Sequence, residues 1–413
     1  MDFFTTVFRP FAPHDSFWTQ RTEDYGAIRA SRAYLCQCGR PVFFRNSACL
    51  SCGTPLGFVV ESSRLEPLAQ VADAPGQWTL WSTPDGPRFR RCANLDMVGC
   101  NWLVSGDAAP GTVCLACSLN RTVSNPSDPM NLAAWRALEM AKRHLVAQLL
   151  AMGLPVEPRN AQAPEVLGLA FDFLRPTPEQ PVLTGHDHGL ITLNMDEADD
   201  ARREQVRTQM GESYRTLLGH FRHEVGHYYW DRLVLNSTWL DDYRSLFGDE
   251  RANYAEALQR NYTQGPPPDW AQHFVSSYAS THPWEDWAET WAHYLHMVDT
   301  LGTAMRFGLD AKDVELPYAP FTVDALWRPQ NPDAEGFLQI VNGWVELTGV
   351  LNEMSRSMGE PDFYPFVLTP AVVAKLQFIH CVVLQARQPG QADAPAPMQT
   401  QTQTQAQAQQ TTS

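Results

Sequence analysis

No part of this sequence stays apolar for the roughly 18 residues that a membrane-spanning helix requires. The first residues, from Met1 to Trp18, also lack the basic segment and following apolar run that together mark a secretory signal. The sequence therefore predicts a cytoplasmic protein with no membrane partner.

Positive charge is scarce as well. The 413 residues hold 31 Lys and Arg against 46 Asp and Glu, for a formal net charge of −15. Residues 30–125 are the exception, with eight Arg and six acidic residues, which concentrates the negative charge in the rest of the chain. Because such a surface repels phosphate groups, we do not expect nucleic acid as a partner.

Cysteine is almost absent outside one region. Eight of the nine Cys lie between Cys36 and Cys117, and a dense thiol cluster in a reducing compartment indicates metal ligands rather than disulfides. The first set consists of Cys36, Cys38, Cys49 and Cys52, and the second of Cys92, Cys100, Cys114 and Cys117. Four thiolates complete the tetrahedral sphere of Zn²⁺, so we predict two structural zinc ions. Buried thiols without metal are the alternative, which the clustering disfavours.

Composition divides the chain into four segments. Residues 1–30 are irregular and rich in aromatics, residues 31–120 hold the cysteine sets, and residues 130–386 show helical periodicity. Residues 387–413 are mostly Gln, Thr and Ala and are predicted to be disordered. Asn120–Asn131 is predicted to be a linker, and two strands are predicted over Val166–Leu174 and Leu190–Asn194.

A further candidate metal site is the sequence His223-Glu224-Val225-Gly226-His227. Residues four apart leave the same face of a helix, so both imidazoles can bind one ion. Glu224 lies beside them, where its carboxylate can act as the general base of a hydrolysis. The motif is short enough to occur by chance, and the interpretation therefore depends on a third ligand.

The predicted third ligand is Glu289, which lies in a Trp-rich stretch that follows Pro283, a favoured first helical residue. His293, four residues later on the same face, is the alternative, since both residue types are normal zinc ligands. Glu285 shares this face, and Asp286, one position round the helix, is predicted to orient a ligand imidazole. A buried aromatic helix favours a cationic partner for these carboxylates.

Tyr278 and His282 stand just before this stretch. A hydrolase gains from a hydrogen-bond donor that stabilises the oxyanion, and either side chain can supply one. Either is equally compatible with a packing role.

Several segments resemble the bacterial zinc-binding metallopeptidases that carry an N-terminal zinc-ribbon region. The matching segments cover most of residues 30–300 and include CQCG, CLSCG, TGHDHGLITLN, YRTLLGHFRHEVGHYYWDRLV, LFGDERANYAEAL and HPWEDWAETWAHYLHMVDT. The resemblance implies a gluzincin-like arrangement, in which one helix supplies two His and a later helix supplies a Glu. Ala288-Glu289-Thr290-Trp291 is similar to the context of that Glu in toxin-type gluzincins. His293 stands where thermolysin-like members have Asp.

These observations predict an α+β protein, with an N-terminal double zinc-ribbon region and a mainly helical, gluzincin-like metallopeptidase domain that contains a small β-sheet. The predicted activity is hydrolysis of a peptide or protein substrate with one catalytic and two structural Zn²⁺ ions. The alternative is a non-catalytic zinc-binding adaptor that docks a protein or nucleic acid through its zinc ribbons. A protein partner of the ribbon region is compatible with either reading.

Overall fold

A computed structural model describes residues 34–160, 162–163, 166–210, 212, 214–309 and 318–387. The predicted irregular segment 1–30 and the predicted tail, apart from residue 387, lie outside these residues. The described chain is α+β, with short strands and both cysteine sets first and long helices afterwards. This order confirms the predicted fold class.

The N-terminal region contains two small antiparallel sheets. One pairs β1 with β2, and the other has the strand order β3-β4-β5-β6-β7. The elements are β1 (Tyr34–Leu35), β2 (Pro41–Val42), β3 (Leu56–Val59), β4 (Arg64–Gln70), β5 (Trp78–Leu80), β6 (Phe89–Arg91), α1 (Leu95–Val98), β7 (Leu103–Ser105) and α2 (Leu115–Ser118). Gly39 and Gly53 directly follow the two cysteine turns of the first set, at φ of +78° and +75°, where glycine carries no steric penalty.

The third sheet has four strands, and the first helix of the C-terminal part, residues 129–151, separates its strand β8 from the others in sequence. Its strands are β8 (Asn120–Val123), β9 (Ala170–Leu174), β10 (Gly185–Asp187) and β11 (Leu190–Asn194), in the order β10-β11-β9-β8. β9 is parallel to both β8 and β11, whereas β10 is antiparallel to β11. Part of the predicted linker is therefore a strand, because the backbone of β8 bonds to β9. The two predicted strands correspond to β9 and β11.

Long helices make up most of the remaining structure. They are α3 (Pro129–Ala151), α4 (Asp200–Met210), α5 (Leu217–Leu233), α6 (Leu240–Phe247), α7 (Tyr254–Gln264), α8 (Trp270–His273), α9 (Pro283–Arg306), α10 (Ala334–Ser357) and α11 (Pro370–Ala386). Local signals explain several of the starts. Thr216 accepts a hydrogen bond from the backbone N–H of Gly219 before α5, and Pro is the first residue of α3, α9 and α11.

Helices α5 and α9 pack closely because α5 has a glycine at their contact. The Trp287 indole N–H donates to the carbonyl oxygen of Gly226 at 2.8 Å. A Cβ atom at Gly226 would lie 3.1 Å from Cα of Ala288, which is tighter than ordinary packing allows. Gly226 therefore sets how near α9 can approach the His223–His227 segment. None of the helices in the described ranges has the length and apolar character to cross a membrane.

Candidate metal centre and active site

Helix α5 presents His223 and His227 to the first turn of α9, which carries Glu285. Nε2 of His223 lies 3.0 Å from Oε2 of Glu285, and Nε2 of His227 lies 3.7 Å from the same oxygen. Potential ligand atoms of the three residues all lie within 4.8 Å of one another. Zinc bonds of about 2.0–2.2 Å place neighbouring tetrahedral ligands roughly 3.4 Å apart, so one ion fits this donor set.

The two carboxylate oxygens of Glu285 have different surroundings. Oε1 accepts a hydrogen bond from the Tyr254 hydroxyl at 2.8 Å, whereas Oε2 has no well-aligned hydrogen-bond donor among the described residues. Burial raises the pKa of Glu285, but the imidazoles of His227 and His223 outweigh it and hold its pKa well below the usual range. A buried, charged oxygen without a hydrogen bond is costly unless a cation completes its environment. The residues present therefore fit a zinc ion.

Glu289, the predicted third ligand, is not part of this group. Its Oε1 lies 2.7 Å from Nδ1 of His223, the ring nitrogen that faces away from Glu285, and its Oε2 accepts from the Ser276 hydroxyl at 2.6 Å. The structure thus places Glu285 at the position that the sequence pattern predicted for Glu289. The two residues are one helical turn apart on the same face, and only the position of α9 along α5 decides which one meets both Nε2 atoms.

The alternative ligand His293 lies two turns beyond Glu285 on α9, outside the group of three. Its Nδ1 lies 2.6 Å from the Tyr364 hydroxyl, and burial lowers its pKa to about 4. A side chain two turns away along the helix axis faces other elements of the fold, which explains why the structure differs from this prediction.

Asp286 also differs from its predicted role of orienting a ligand imidazole. Its Oδ2 lies 2.6 Å from Nζ of Lys375 on α11, and its Oδ1 accepts a long hydrogen bond of 3.4 Å from the Thr290 hydroxyl. Adjacent residues of a helix point in directions roughly 100° apart, so Asp286 is turned towards α11 while Glu285 faces α5. The carboxylate that contacts the His223 imidazole is that of Glu289.

Glu224 lies on α5 between the two histidines and is 9% exposed. Burial raises its pKa to about 7 against the opposing effect of His223, and the nearby carboxylates of Glu285 and Glu197 add to the rise. A carboxyl group with a pKa near neutrality can both take up and release a proton under ordinary conditions. This is the electrostatic environment that a general base requires.

The two predicted oxyanion donors differ in their surroundings. The ring of Tyr278 lies 6.0 Å from that of His223, and burial raises its pKa well above the usual range, so its hydroxyl remains a donor. In His282, Nδ1 accepts from the backbone N–H of Trp284 at 3.1 Å, and Nε2 lies 3.0 Å from the carbonyl oxygen of Ala252. His282 therefore caps α9 and has no ring nitrogen left for a substrate, contrary to its predicted role.

The first cysteine set, Cys36, Cys38, Cys49 and Cys52, forms a compact group near the surface. Sγ of Cys36 lies 3.6 Å from Sγ of Cys52, and Sγ of Cys38 lies 3.8 Å from Sγ of Cys49. Zinc–sulfur bonds of about 2.3 Å give a tetrahedron edge of roughly 3.8 Å, which these distances match. Cys38 and Cys52 are exposed, and hydrogen bonding from Thr54 lowers the pKa of Cys52 to about 6.

The second set, Cys92, Cys100, Cys114 and Cys117, is buried at all four positions. Sγ of Cys100 lies 3.6 Å from Sγ of Cys114, and the backbone N–H of Cys114 donates to Sγ of Cys92 at 3.3 Å. Side chains of α3 surround this cluster. Glu139 contacts Sγ of Cys117 at 3.5 Å, and Lys142 neutralises Glu139 through an ion pair of 2.9 Å, with both charged side chains fully buried.

The site combines a group of two His and one Glu with a further Glu next to the histidines, and two four-cysteine clusters precede it in sequence. This combination is typical of zinc-binding metallopeptidases with a zinc ribbon. A family model described as "Putative zinc-binding metallo-peptidase" matches residues 131–382, and a zinc-ribbon domain model matches residues 33–128. The chain belongs to this metallopeptidase family. The family and the two cysteine clusters both support zinc binding.

Relatives of the chain occur in mycobacteria. The chain is 46% identical over 349 residues to an uncharacterized protein of Mycobacterium bovis and to an uncharacterized protein of Mycobacterium tuberculosis. In each case the match covers 84% of this chain and 93% of the relative. No solved structure matches the chain.

Proposed function

We propose that this chain is a zinc-dependent metallopeptidase of gluzincin type, in which His223, His227 and Glu285 hold the catalytic zinc and Glu224 is the general base. One observation carries the proposal. Oε2 of Glu285, buried and without a well-aligned hydrogen bond, faces Nε2 of both histidines next to Glu224. The substrate class is a peptide or protein, and the two cysteine sets hold structural zinc.

The residues around the centre have separable roles in this proposal. A zinc ion held by His223, His227 and Glu285 would supply Lewis-acid chemistry for the scissile carbonyl and for the attacking water. Glu224 takes up the proton of that water and passes it to the nitrogen of the leaving amine, which suits a carboxyl with a pKa near 7. Glu289 accepts a hydrogen bond from Nδ1–H of His223, which favours the ring tautomer whose Nε2 lone pair is free to bind a metal. Tyr278 is the candidate donor to the oxyanion.

The substitution Glu224→Gln tests the mechanism. The amide keeps the size of the side chain but cannot accept a proton, so we expect cleavage of a peptide library to fall at least about a hundredfold. Zinc content should stay at one ion for each of the three clusters. Glu335→Gln, on the exposed surface of α10, is the matched control and should leave both readings unchanged. Cleavage at the wild-type rate by Glu224→Gln would refute the assignment of the base.

A non-catalytic adaptor is the second candidate, and one observation favours it. Leu35, Phe43 and Leu50, all next to the first cysteine set, are 65%, 51% and 90% exposed. Exposed apolar side chains in one small region are typical of a protein-binding surface. An adaptor requires no base at Glu224, so a fully zinc-loaded wild type that cleaves nothing in the library would favour this reading. Nucleic acid is not the expected partner, and binding should be absent at physiological salt.

A further inference from the structure

Tyr254, the first residue of α7, makes a direct contact with the candidate zinc ligand Glu285. Its hydroxyl donates to Oε1 of Glu285 at 2.8 Å, although 31 residues separate the two in sequence. The phenol therefore occupies the carboxylate oxygen that does not face the histidines.

The backbone on both sides of this contact is held by one residue. His282 caps α9, the helix that carries Glu285, and its Nε2 also lies 3.0 Å from the carbonyl oxygen of Ala252, two residues before Tyr254. The ring of Tyr254 packs edge-on against the His282 ring, with centroids 5.3 Å apart. The phenol and the carboxylate are therefore attached to segments that cannot easily move apart.

The contact with Tyr254 restricts which oxygen of Glu285 can bind a cation. A free Glu can offer either oxygen, or both, to a cation, and it can rotate about its terminal bond. With Oε1 occupied by the Tyr254 hydroxyl, only Oε2 of Glu285 is directed at the two imidazoles. Hydrogen bonds of this kind, made to the ligand from outside the coordination sphere, commonly contribute 10–100-fold to metal affinity.

We propose that Tyr254 is a positioning residue for the zinc site formed by His223, His227 and Glu285, called the third zinc site below because the two cysteine clusters precede it in sequence. The Tyr254 hydroxyl holds Oε1 of Glu285, so that Oε2 alone binds the metal. The proposal rests on the proposed function, because it takes Glu285 as the ligand. It assigns to the loop before α7 and to α7 itself a part in building the metal centre, although no metal ligand lies on either.

The test compares Tyr254→Phe with Tyr262→Phe. Both changes remove one hydroxyl from α7, and Tyr262 is 58% exposed, so it is the matched control. Zinc occupancy is measured over a series of chelator-buffered free zinc concentrations, and the ion that is lost in His223→Ala identifies the third site. We expect Tyr254→Phe to reach half-occupancy of that site at about 10–100-fold higher free zinc than the wild type. Tyr262→Phe should match the wild type.

A second measurement distinguishes loss of positioning by Tyr254 from general damage to the fold. The proteins are loaded with cobalt, and the visible absorption spectrum of each protein is recorded. The spectrum of the same protein carrying His223→Ala is subtracted from it, which leaves the bands of cobalt at the third site. We expect these bands to shift in Tyr254→Phe, because the carboxylate changes its binding mode. Wild-type zinc affinity in Tyr254→Phe would overturn the proposal, and so would weaker affinity with unchanged cobalt bands. If the wild type and His223→Ala bind equal amounts of zinc, the proposed function fails instead.

Discussion

The two cysteine clusters of this chain have the same four ligands but different surroundings. The first is built from two turns at the surface and exposes Cys38 and Cys52. The second has all four cysteines buried, and α3 supplies Glu139 and Lys142 to its edge. We therefore expect loss of metal from the first cluster to have local consequences, whereas the second cluster contacts side chains of a long helix.

The difference indicates where zinc contributes to the stability of the whole chain. Binding energy of a structural zinc is folding free energy for every element whose packing depends on the site. Around the first cluster the dependent structure is a short hairpin. The side chains of Arg91 and Asn101 donate hydrogen bonds to backbone carbonyl oxygens of this part of the chain, at residues 44, 46, 47 and 56. Around the second cluster the dependent structure includes α3, whose Glu139 contacts Sγ of Cys117 and pairs with Lys142.

The largest expected effect is a difference in the free energy of unfolding between Cys114→Ser and Cys49→Ser. Both cysteines are 2% exposed, so the two changes are closely matched. We expect each variant to lose one zinc, but only Cys114→Ser to lower the free energy of unfolding of the helical region by several kcal/mol. Urea unfolding followed by tryptophan fluorescence, with zinc content measured beside it, checks this. Equal losses of stability in the two variants would remove the distinction between the clusters.

Lys142→Met should have the next largest effect. It leaves the carboxylate of Glu139 buried without its cation beside the second cluster, a loss of about 3–5 kcal/mol in comparable cases. Arg64→Met removes the cation of an exposed pair with Glu66 in the ribbon region and should cost at most about 1 kcal/mol. The double change Glu139→Gln with Lys142→Met should recover part of the loss. Thermal unfolding measures all three, and similar costs for the two single changes would contradict the argument.

The smallest expected effect concerns reactivity. After treatment with a chelator at pH 7, an alkylating reagent should label Cys52 well before Cys114, since Cys52 is exposed and its pKa is lowered to about 6. Only the thiolate reacts, and this thiol gains its proton as the pH falls through its pKa. Labelling of Cys52 should therefore slow about tenfold between pH 7 and pH 5. Peptide mapping by mass spectrometry gives both rates, and early labelling of Cys114 would show that its cluster opens as easily.

Features that depend on a few neighbouring residues could be predicted from the sequence. The cysteine sets could be predicted because three of their four pairs are only two or three residues apart, and His223 and His227 because a single helix carries both. The start of α9 followed from Pro283. The same signal also indicates His282 as the residue that caps the helix, an indication that favours a structural role over the catalytic role considered for it.

Features that depend on how helices meet could not be predicted. Glu285 and Glu289 share one face of α9, and a shift of one turn along α5 would exchange their roles. That alignment comes from contacts such as the bond between the Trp287 indole and the Gly226 carbonyl, which leave no trace in the spacing of the carboxylates. Tyr254 was missed for the same reason, since it lies at the start of a different helix, 31 residues before Glu285.

Gly226 adds a packing requirement to the His223–His227 motif of α5, beyond the two histidines and Glu224. The two intervening positions are unequal, because Val225 is fully buried in the core whereas Gly226 lies at the contact with α9. A Cβ atom at residue 226 would also lie 3.2 Å from Cδ1 of Trp291, so any larger residue requires α9 to shift by a few tenths of an ångström. Because α9 carries Glu285, the absence of a side chain at 226 helps to set the distance between this carboxylate and the two imidazoles.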